Sequence, residues 1–224
     1  MIDALRLGLA AHANPVKAAG TQAYMKSEMP YLGVYSQPMR SVCAEVFAAY
    51  PLASFEQWRQ TIVSLWQQAR FREERYAALE LLGARRYRAY RTLATLPLYE
   101  QLIVDGAWWD LVDGIATHHV GDLLRRFPVD MRPVLLAWST GVDHWLRRTS
   151  IICQVGFKRD TDQELLFACI EPSVNERDFF LRKAIGWALR EYAKAAPDAV
   201  RSYVALNEHR LSSVSKREAL KHLK

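Results

Sequence analysis

The sequence has almost no β-strand signals and no long apolar run. Sustained alternation of β-branched residues is absent, and no Asn-Gly or Asp-Gly hairpin signal stands between such runs. No stretch approaches the length of a membrane span, and Arg6 and His12 interrupt the apolar stretch at the N-terminus, so we expect neither a signal peptide nor a membrane anchor. These absences favour a cytoplasmic protein with a helical core.

Cysteine is also scarce. Cys43, Cys153 and Cys169 lie in apolar surroundings without CxxC spacing, which predicts buried free thiols in a reducing compartment. The six histidines show no ligand spacing with cysteines or acids. We therefore expect no metal site and no cofactor.

What the sequence does contain is helical periodicity. Stretches such as FEQWRQTIVSLWQQ and DFFLRKAIGWALREYAK place apolar residues at helical spacing, and most of the nine prolines, Pro133 among them, fall near the joints between such stretches. Ser54, Asp143 and Asp162 are credible N-cap residues. About a dozen short helices without a long linker predict one all-α domain covering residues 1–224.

A repeat of 35 residues is visible within this pattern. Leucine, a second residue and a charged residue recur so that Asp113, Arg148 and Lys183 stand 35 residues apart, and Arg75 is a candidate for an earlier, divergent copy. A period of this length is typical of stacked helical hairpins, as in HEAT-type solenoids. The sequence therefore predicts an α-α superhelix of HEAT-like repeats in which these positions line one surface.

Aromatic and charged residues share helix faces along this surface. Trp109 and Asp113 are four residues apart, and Trp187 follows Lys183 by four and precedes Arg190 by three. Taken singly, each residue has an ordinary structural explanation as a core, cap or solvated residue, and the shared register is what favours a binding site.

The chemistry of these groups points to a particular kind of DNA. The net charge of +6 and the pI of about 9.3 favour a polyanionic partner, and cations on a solenoid can follow a duplex backbone. A carboxylate on such a surface suggests a substrate that carries positive charge, because indole faces attract cations and a carboxylate stabilises a developing oxocarbenium ion. Purines alkylated at N3 or N7 have that charge, which also makes the base a good leaving group.

Five blocks of sequence resemble one known family. YMKSEMPYLGV, WWDLVD, WLRRTSII, FFLRKAIGWALREYAKAAPD and SKREALKHL are similar to segments of the HEAT-like-repeat DNA alkylation-repair glycosylases, the AlkD family, over nearly the whole chain from about Pro15 to Leu223. The resemblance implies an α-α superhelix that removes 3-methyladenine and 7-methylguanine types from double-stranded DNA. It also implies that the lesion stays stacked instead of being flipped into a pocket.

The resemblance assigns roles to individual residues. It implies that Asp113 is the catalytic carboxylate, that Trp109 and Trp187 flank the lesion, and that Arg148 binds a phosphate. Further predicted DNA contacts are made by Arg190, Lys183, Lys158 and Gln37. Lys158 partly replaces a basic residue that the family can have at the position of Gly156, and Gln37, in VYSQPMR, is the candidate for contact with the undamaged strand.

Several alternatives stay open at this point. Asp113 could stabilise charge on the sugar or activate the attacking water. The main rival function is a non-catalytic protein of the same architecture that binds bent or branched DNA, and a second is a scaffold for protein interactions. The carboxylate between the tryptophans argues against a non-catalytic DNA-binding protein. The excess of cations argues against a scaffold for protein interactions. We expect a monomer.

Overall fold

The computed structural model describes residues 1–223 and is helical throughout, with no β-strand in that range. The all-α class predicted from the sequence is thus confirmed. The chain divides into two compact units, residues 1–90 and the part that begins at Arg91. No helix of the described residues is long and apolar enough to cross a membrane.

The first unit contains five α-helices followed by a 3₁₀ segment at Arg85–Tyr90. The helices are α1 (Ile2–Ala10), α2 (Pro15–Met25), α3 (Ser36–Ala49), α4 (Phe55–Gln67) and α5 (Arg72–Gly83). Helix α4 shows why these segments are helical. The hydroxyl oxygen of Ser54 accepts a hydrogen bond from the backbone N–H of Gln57, as predicted for an N-cap, and one face of the helix is fully buried. That face consists of Trp58, Ile62, Leu65 and Trp66.

A buried carboxylate fixes the loop before α3. Glu73, which is only 2% exposed, accepts hydrogen bonds from the backbone N–H groups of Leu32, Gly33 and Val34 at 2.8–3.2 Å. Gly33 has φ of +78°, and a Cβ atom there would lie 2.2 Å from the carbonyl oxygen of Asn14, so only glycine fits. The loop is therefore held rigidly at the entry to α3.

The second unit contains nine α-helices within the described residues. They are α6 (Leu96–Gly106), α7 (Trp109–Gly114), α8 (Gly121–Arg126), α9 (Pro128–Thr140), α10 (His144–Ile152), α11 (Gln163–Ile170), α12 (Phe179–Ala193), α13 (Pro197–Leu206) and α14 (Ser213–Ala219). A π-helical segment, Ile115–Val120, joins α7 to α8 without a break. The predicted N-caps Asp143 and Asp162 are confirmed at the starts of α10 and α11. The suggested copy at Arg75 lies in α5 of the first unit, with its guanidinium over the Trp66 ring.

The 35-residue period marks equivalent positions on successive helices of this unit. Asp113, Arg148 and Lys183 are each the fifth residue of their helix, in α7, α10 and α12. A fourth position, Glu218 in α14, follows Lys183 by another 35 residues and forms an ion pair with it. Asp113 and Arg148 form the other ion pair of the series. The repeat therefore places charges of opposite sign where neighbouring helices meet.

Two local features differ from the simplest reading of the sequence. Pro133 was expected near a joint, and this prediction was wrong, because it is the sixth residue of α9 and lies inside the helix. The π-helical segment inserts extra backbone before Gly121, where a Cβ atom would lie 2.6 Å from the carbonyl oxygen of Cys153 in the next helix pair. A glycine is needed there for the close approach of the two helices.

The three cysteines are free and buried, as predicted. Burial raises the pKa of the Cys43 and Cys169 thiols to about 12 and that of Cys153 well above its usual value. Thiols with such pKa values remain protonated and unreactive at neutral pH.

Candidate functional site

The centre of the candidate site is an ion pair between Asp113 and Arg148. The Nε atom of Arg148 donates to Oδ1 of Asp113 and its Nη2 atom donates to Oδ2, both at 2.8 Å. The Arg148 side chain is 6% exposed and that of Asp113 is 19% exposed. This two-pronged geometry fixes the carboxylate plane, and the exposed part of Asp113 is what a substrate can reach.

Arg148 also ties together three helices. Its Nη1 atom donates to the carbonyl oxygen of Phe180, in the first turn of α12, while α10 carries the residue itself and α7 carries Asp113. The sequence predicted that Arg148 binds a DNA phosphate. In the structure its guanidinium is occupied by Asp113 and Phe180, so the phosphate contact stays a prediction, and a role in orienting Asp113 is the one with contacts to support it.

Aromatic rings pack against one another at the starts of the same three helices. Trp108 packs against Trp145 and Phe180 with ring centroids 6.2 and 5.2 Å apart, and Trp145 lies 5.0 Å from Phe180. Trp109, partly exposed, is the first residue of α7, one turn before Asp113. This arrangement agrees with the predicted pairing of an indole and a carboxylate on one helix face.

Sequence reasoning missed part of this aromatic group. The first residues of α7, α10 and α12 are Trp109, His144 and Phe179, each 35 residues after the last, and Phe179 is 59% exposed. These rings follow the same 35-residue period, because each precedes the charged residue of its helix by four positions. We refer to the first two turns of α7, α10 and α12 as the Asp113 end.

The cations predicted around Trp187 are compensated by carboxylates. Nζ of Lys183 lies 3.2 Å from Oε1 of Glu218, and Arg190 forms an ion pair with the other carboxylate oxygen of the same residue. Nε of Arg190 also lies 3.8 Å from Glu191. Burial works against the charged form of Glu218, but hydrogen bonding and the charges of Lys183 and Arg190 outweigh it, so its pKa is lowered.

Trp187 itself is half-buried and packs against a core formed mainly by α12 and α13, with residues of α10 and α11. The sequence predicted that it meets Trp109 across the lesion. The contacts of Trp187 are with core residues of its own region, so the convergence of the two indoles stays a prediction.

Lys158 lies at the opposite ends of these helices. It opens the 3₁₀ turn Lys158–Asp160 with φ of +58°, a left-handed conformation that is unfavourable for a lysine. Beside it, Arg125 lies over the Phe157 ring at 3.7 Å and pairs with Asp160 at 3.5 Å. Arg125 stands twelve residues after Asp113 on one continuous helical run, which corresponds to about 18 Å along the axis.

The surface around Lys158 is an open cleft of about 650 Å³, which we call the Lys158 cleft. Its charged residues are Arg125, Lys158, Arg159, Lys194, Asp160 and Glu191. Arg125 and Lys194 are paired with carboxylates, whereas the side chains of Lys158 and Arg159 form no ion pair with any described residue. The cleft therefore offers two uncompensated cations, whereas at the Asp113 end Arg148 and Lys183 are paired with carboxylates and Arg182 donates to the backbone carbonyl oxygen of Glu176.

The sequence of the chain matches one protein family over nearly its full length. The family described as DNA alkylation repair enzyme matches residues 5–223. The chain belongs to this family of DNA alkylation repair enzymes. The resemblance to AlkD-type proteins drawn from the sequence motifs is thereby confirmed.

A solved structure supports the same assignment. It is described as a predicted DNA alkylation repair enzyme from Enterococcus faecalis, and it is 28% identical in sequence and superposes with a TM-score of 0.83. The match covers 95% of this chain and 97% of that chain. Among curated proteins, none matches this sequence.

In this repair enzyme, Gln37 belongs to the first unit. It is exposed in the first turn of α3, directly after the loop that Glu73 holds. Nearby, Nζ of Lys17 lies 3.9 Å from the centroid of the Tyr35 ring and donates to the carbonyl oxygen of Val34. Gln37 is thus accessible on a rigid support, and its contact with the undamaged strand stays a prediction.

A buried histidine lies between the Asp113 end and the Lys158 cleft. His119, in the π-helical segment, is 7% exposed, and its ring centroid lies 5.6 Å from that of Tyr99. Burial, aided by the charges of Arg91 and His118, lowers its pKa to about 3. His119 is therefore neutral at physiological pH and belongs to the support of the site.

Proposed function

We propose that this DNA alkylation repair enzyme is a glycosylase that hydrolyses the N-glycosidic bond of cationic alkylpurines, of the 3-methyladenine and 7-methylguanine type, in double-stranded DNA. The observation that carries the proposal is the partly exposed carboxylate of Asp113, held by both of its oxygens on Arg148, one helical turn from Trp109. We further propose that the helix pairs of the second unit are HEAT-like repeats and that the protein acts as a monomer.

The reaction requires little from the protein beyond electrostatics. The bond between C1′ and the purine nitrogen breaks with its electron pair going to the base, which leaves as a neutral molecule because it began with a positive charge. Positive charge then develops on the deoxyribose, and water adds to C1′ and loses its proton to solvent or to a carboxylate. Because the leaving group is good, the step needs neither a metal nor a strong general acid.

Asp113 is suited to stabilise the charge that appears on the sugar. Both of its oxygens already accept hydrogen bonds from Arg148, so its charge is fixed in place before the reaction begins, which is the condition for strong electrostatic stabilisation. Its remaining lone pairs can still hold the attacking water. The geometry favours charge stabilisation as the main role, with water orientation as the second.

The aromatic rings favour the same substrate class. Indole faces attract a cationic purine, with each contact contributing about 0.5–2 kcal/mol. At the Asp113 end, Arg148 and Lys183 are paired with carboxylates, which reduces their attraction for phosphate, and the exposed part of Asp113 can face a cationic base. This agrees with a lesion that is recognised through its positive charge.

Release of bases from methylated duplex DNA tests the proposal. We expect the wild-type protein to release free 7-methylguanine, to leave uracil and hypoxanthine in place, and to keep its activity in the presence of a chelator. Binding of the duplex without release of any base would favour the non-catalytic rival. Rapid release of the neutral bases would contradict recognition through charge.

A further inference from the structure

Glu218 is the only carboxylate of the described residues that bonds two of the predicted DNA contacts at once. Its Oε1 atom accepts from Nζ of Lys183 and its Oε2 atom accepts from Nη1 of Arg190. Lys183 and Arg190 lie on one face of α12, with Trp187 between them. The Glu218 side chain is 16% exposed, so the group is held at the surface and is not part of the deep core.

Glu218 compensates much of the positive charge on this face of α12. Lys183 and Arg190 share its carboxylate, while Glu191 lies 3.8 Å from Arg190 and also pairs with Lys194. A carboxylate that bridges lysine and arginine occupies the hydrogen-bond donors that these side chains would offer to a phosphate oxygen. A DNA phosphate at this position would compete with Glu218 for the same donors.

The attachment of α14 to α12 does not depend on the charge of Glu218. The hydroxyl of Ser215 donates to the carbonyl oxygen of Arg182 at 2.9 Å, and Ala219 is fully buried. Gly186 allows the close approach, since a Cβ atom there would lie 2.6 Å from the Cβ atom of Glu218. Replacing the Glu218 carboxylate by an amide therefore changes the charge and leaves the helix packing in place.

We propose that Glu218 is an internal counter-ion that occupies the phosphate-binding groups of Lys183 and Arg190 and thereby limits the affinity of the protein for undamaged duplex DNA. The inference rests on the proposed function, because it assumes that DNA is the ligand of this face. On this proposal, Glu218 determines specificity. It reduces the sequence-independent attraction of the protein to the DNA backbone beside Trp187, so that recognition depends more on the lesion.

The test is the salt dependence of binding to an undamaged duplex by Glu218→Gln. Each phosphate neutralised by a cation of the protein adds about 0.9 to the slope of log K against log salt. With Glu218 neutral, Lys183 and Arg190 lose the carboxylate that they share, and the net charge of this face rises by one. We expect the slope to steepen by about one unit and binding at low salt to tighten by about threefold to tenfold. Glu218→Ala must change both quantities in the same direction.

Two controls separate this effect from a general change of charge. Glu164→Gln removes one negative charge from an exposed pair with Arg132 and should leave the slope unchanged. Adding Lys183→Gln and Arg190→Gln to the Glu218→Gln variant should abolish the gain, because the released cations are then missing.

The opposite results would overturn the inference. Weaker binding by Glu218→Gln would mean that the carboxylate positions the cations for DNA, and an unchanged slope would mean that it only holds α14 in place. Failure of the wild-type protein to bind duplex DNA or to release 7-methylguanine would instead contradict the proposed function, so the two failures are distinguishable.

Discussion

The Asp113 end and the Lys158 cleft lie at opposite ends of the same helices and differ in whether their cations have carboxylate partners. At the Asp113 end, Arg148 is buried and paired, and aromatic rings cover the first turns of α7, α10 and α12. In the Lys158 cleft, Lys158 and Arg159 are exposed and have no ionic partner among the described residues. The cations Arg148 and Lys183 at the Asp113 end have carboxylate partners, and those of the cleft are exposed and partly uncompensated.

The difference suggests that the Asp113 end carries out catalysis and that the Lys158 cleft contributes to DNA binding. A fixed, compensated carboxylate acts on charge that develops in a transition state, because it needs no rearrangement when that charge appears. Uncompensated cations release counter-ions from DNA and supply affinity that does not depend on sequence. We expect substitutions at the Asp113 end to change the rate of excision, and substitutions in the Lys158 cleft to change the binding of DNA.

The largest effect is expected for Asp113→Asn. The amide keeps the size of the side chain but removes the charge that stabilises the sugar, so excision of 7-methylguanine should fall by about a hundredfold or more. DNA binding should hold or improve, because a negative charge is lost from the surface. Asp110→Asn, three residues earlier in α7, is the matched control, and a loss of excision there but not in Asp113→Asn would show that the wrong carboxylate has been assigned.

Arg148→Gln should have the next largest effect. If Arg148 acts by orienting Asp113, excision should fall by about tenfold to a hundredfold, the cost of a misplaced catalytic group, while the salt slope of binding holds. If Arg148 binds a phosphate, as the resemblance implies, the slope should fall by about one unit for damaged and undamaged duplexes alike. The contacts with Asp113 and Phe180 lead us to expect the first result.

The double variant Lys158→Gln and Arg159→Gln examines the cleft. Loss of two phosphate contacts should reduce the salt slope by about two units, and binding at physiological salt should weaken for damaged and undamaged DNA equally. Fluorescence anisotropy at several salt concentrations measures both quantities. An unchanged slope would show that the cleft faces away from the DNA, and the role of the cleft in DNA binding would be contradicted.

The last prediction concerns stability and not function, so at neutral pH its effect is the smallest; it comes from His119, between the two ends. Because burial lowers its pKa from 6.5 to about 3, the unfolded chain binds a proton that the folded protein excludes between these pH values. The free energy of unfolding should therefore decrease as the pH falls from about 6.5 towards 3, by up to about 1.4 kcal/mol per pH unit from this residue. Chemical unfolding of wild type and His119→Phe at several pH values isolates this contribution; parallel curves would contradict it.

Much of the fold could be predicted because it depends on local and periodic features. The N-caps at Ser54, Asp143 and Asp162 depend on a single side chain and the backbone next to it. The 35-residue period followed from the spacing of Asp113, Arg148 and Lys183, and the structure places all three at the fifth position of their helices.

The partners of the charged residues could not be predicted in the same way. The sequence shows that Arg148, Lys183 and Arg190 are cations, but their partners depend on how neighbouring helices pack. Glu218 was overlooked because α14 has only seven residues and its pattern is short. Lys158 is far from Asp113 because the chain runs the length of α10 before it reaches Lys158. A resemblance of short motifs does not reveal this separation.

The most direct test of the proposed division is single-turnover excision of 7-methylguanine, measured as a function of protein concentration. The account predicts that Asp113→Asn lowers the maximal rate by about a hundredfold or more and hardly changes the concentration at half-maximal rate. For the Lys158→Gln and Arg159→Gln variant, it predicts a rise in the half-maximal concentration that exceeds any fall in the maximal rate. If Asp113→Asn changed only the half-maximal concentration, or the cleft variant only the maximal rate, the assignment of chemistry and affinity to the two ends would be wrong.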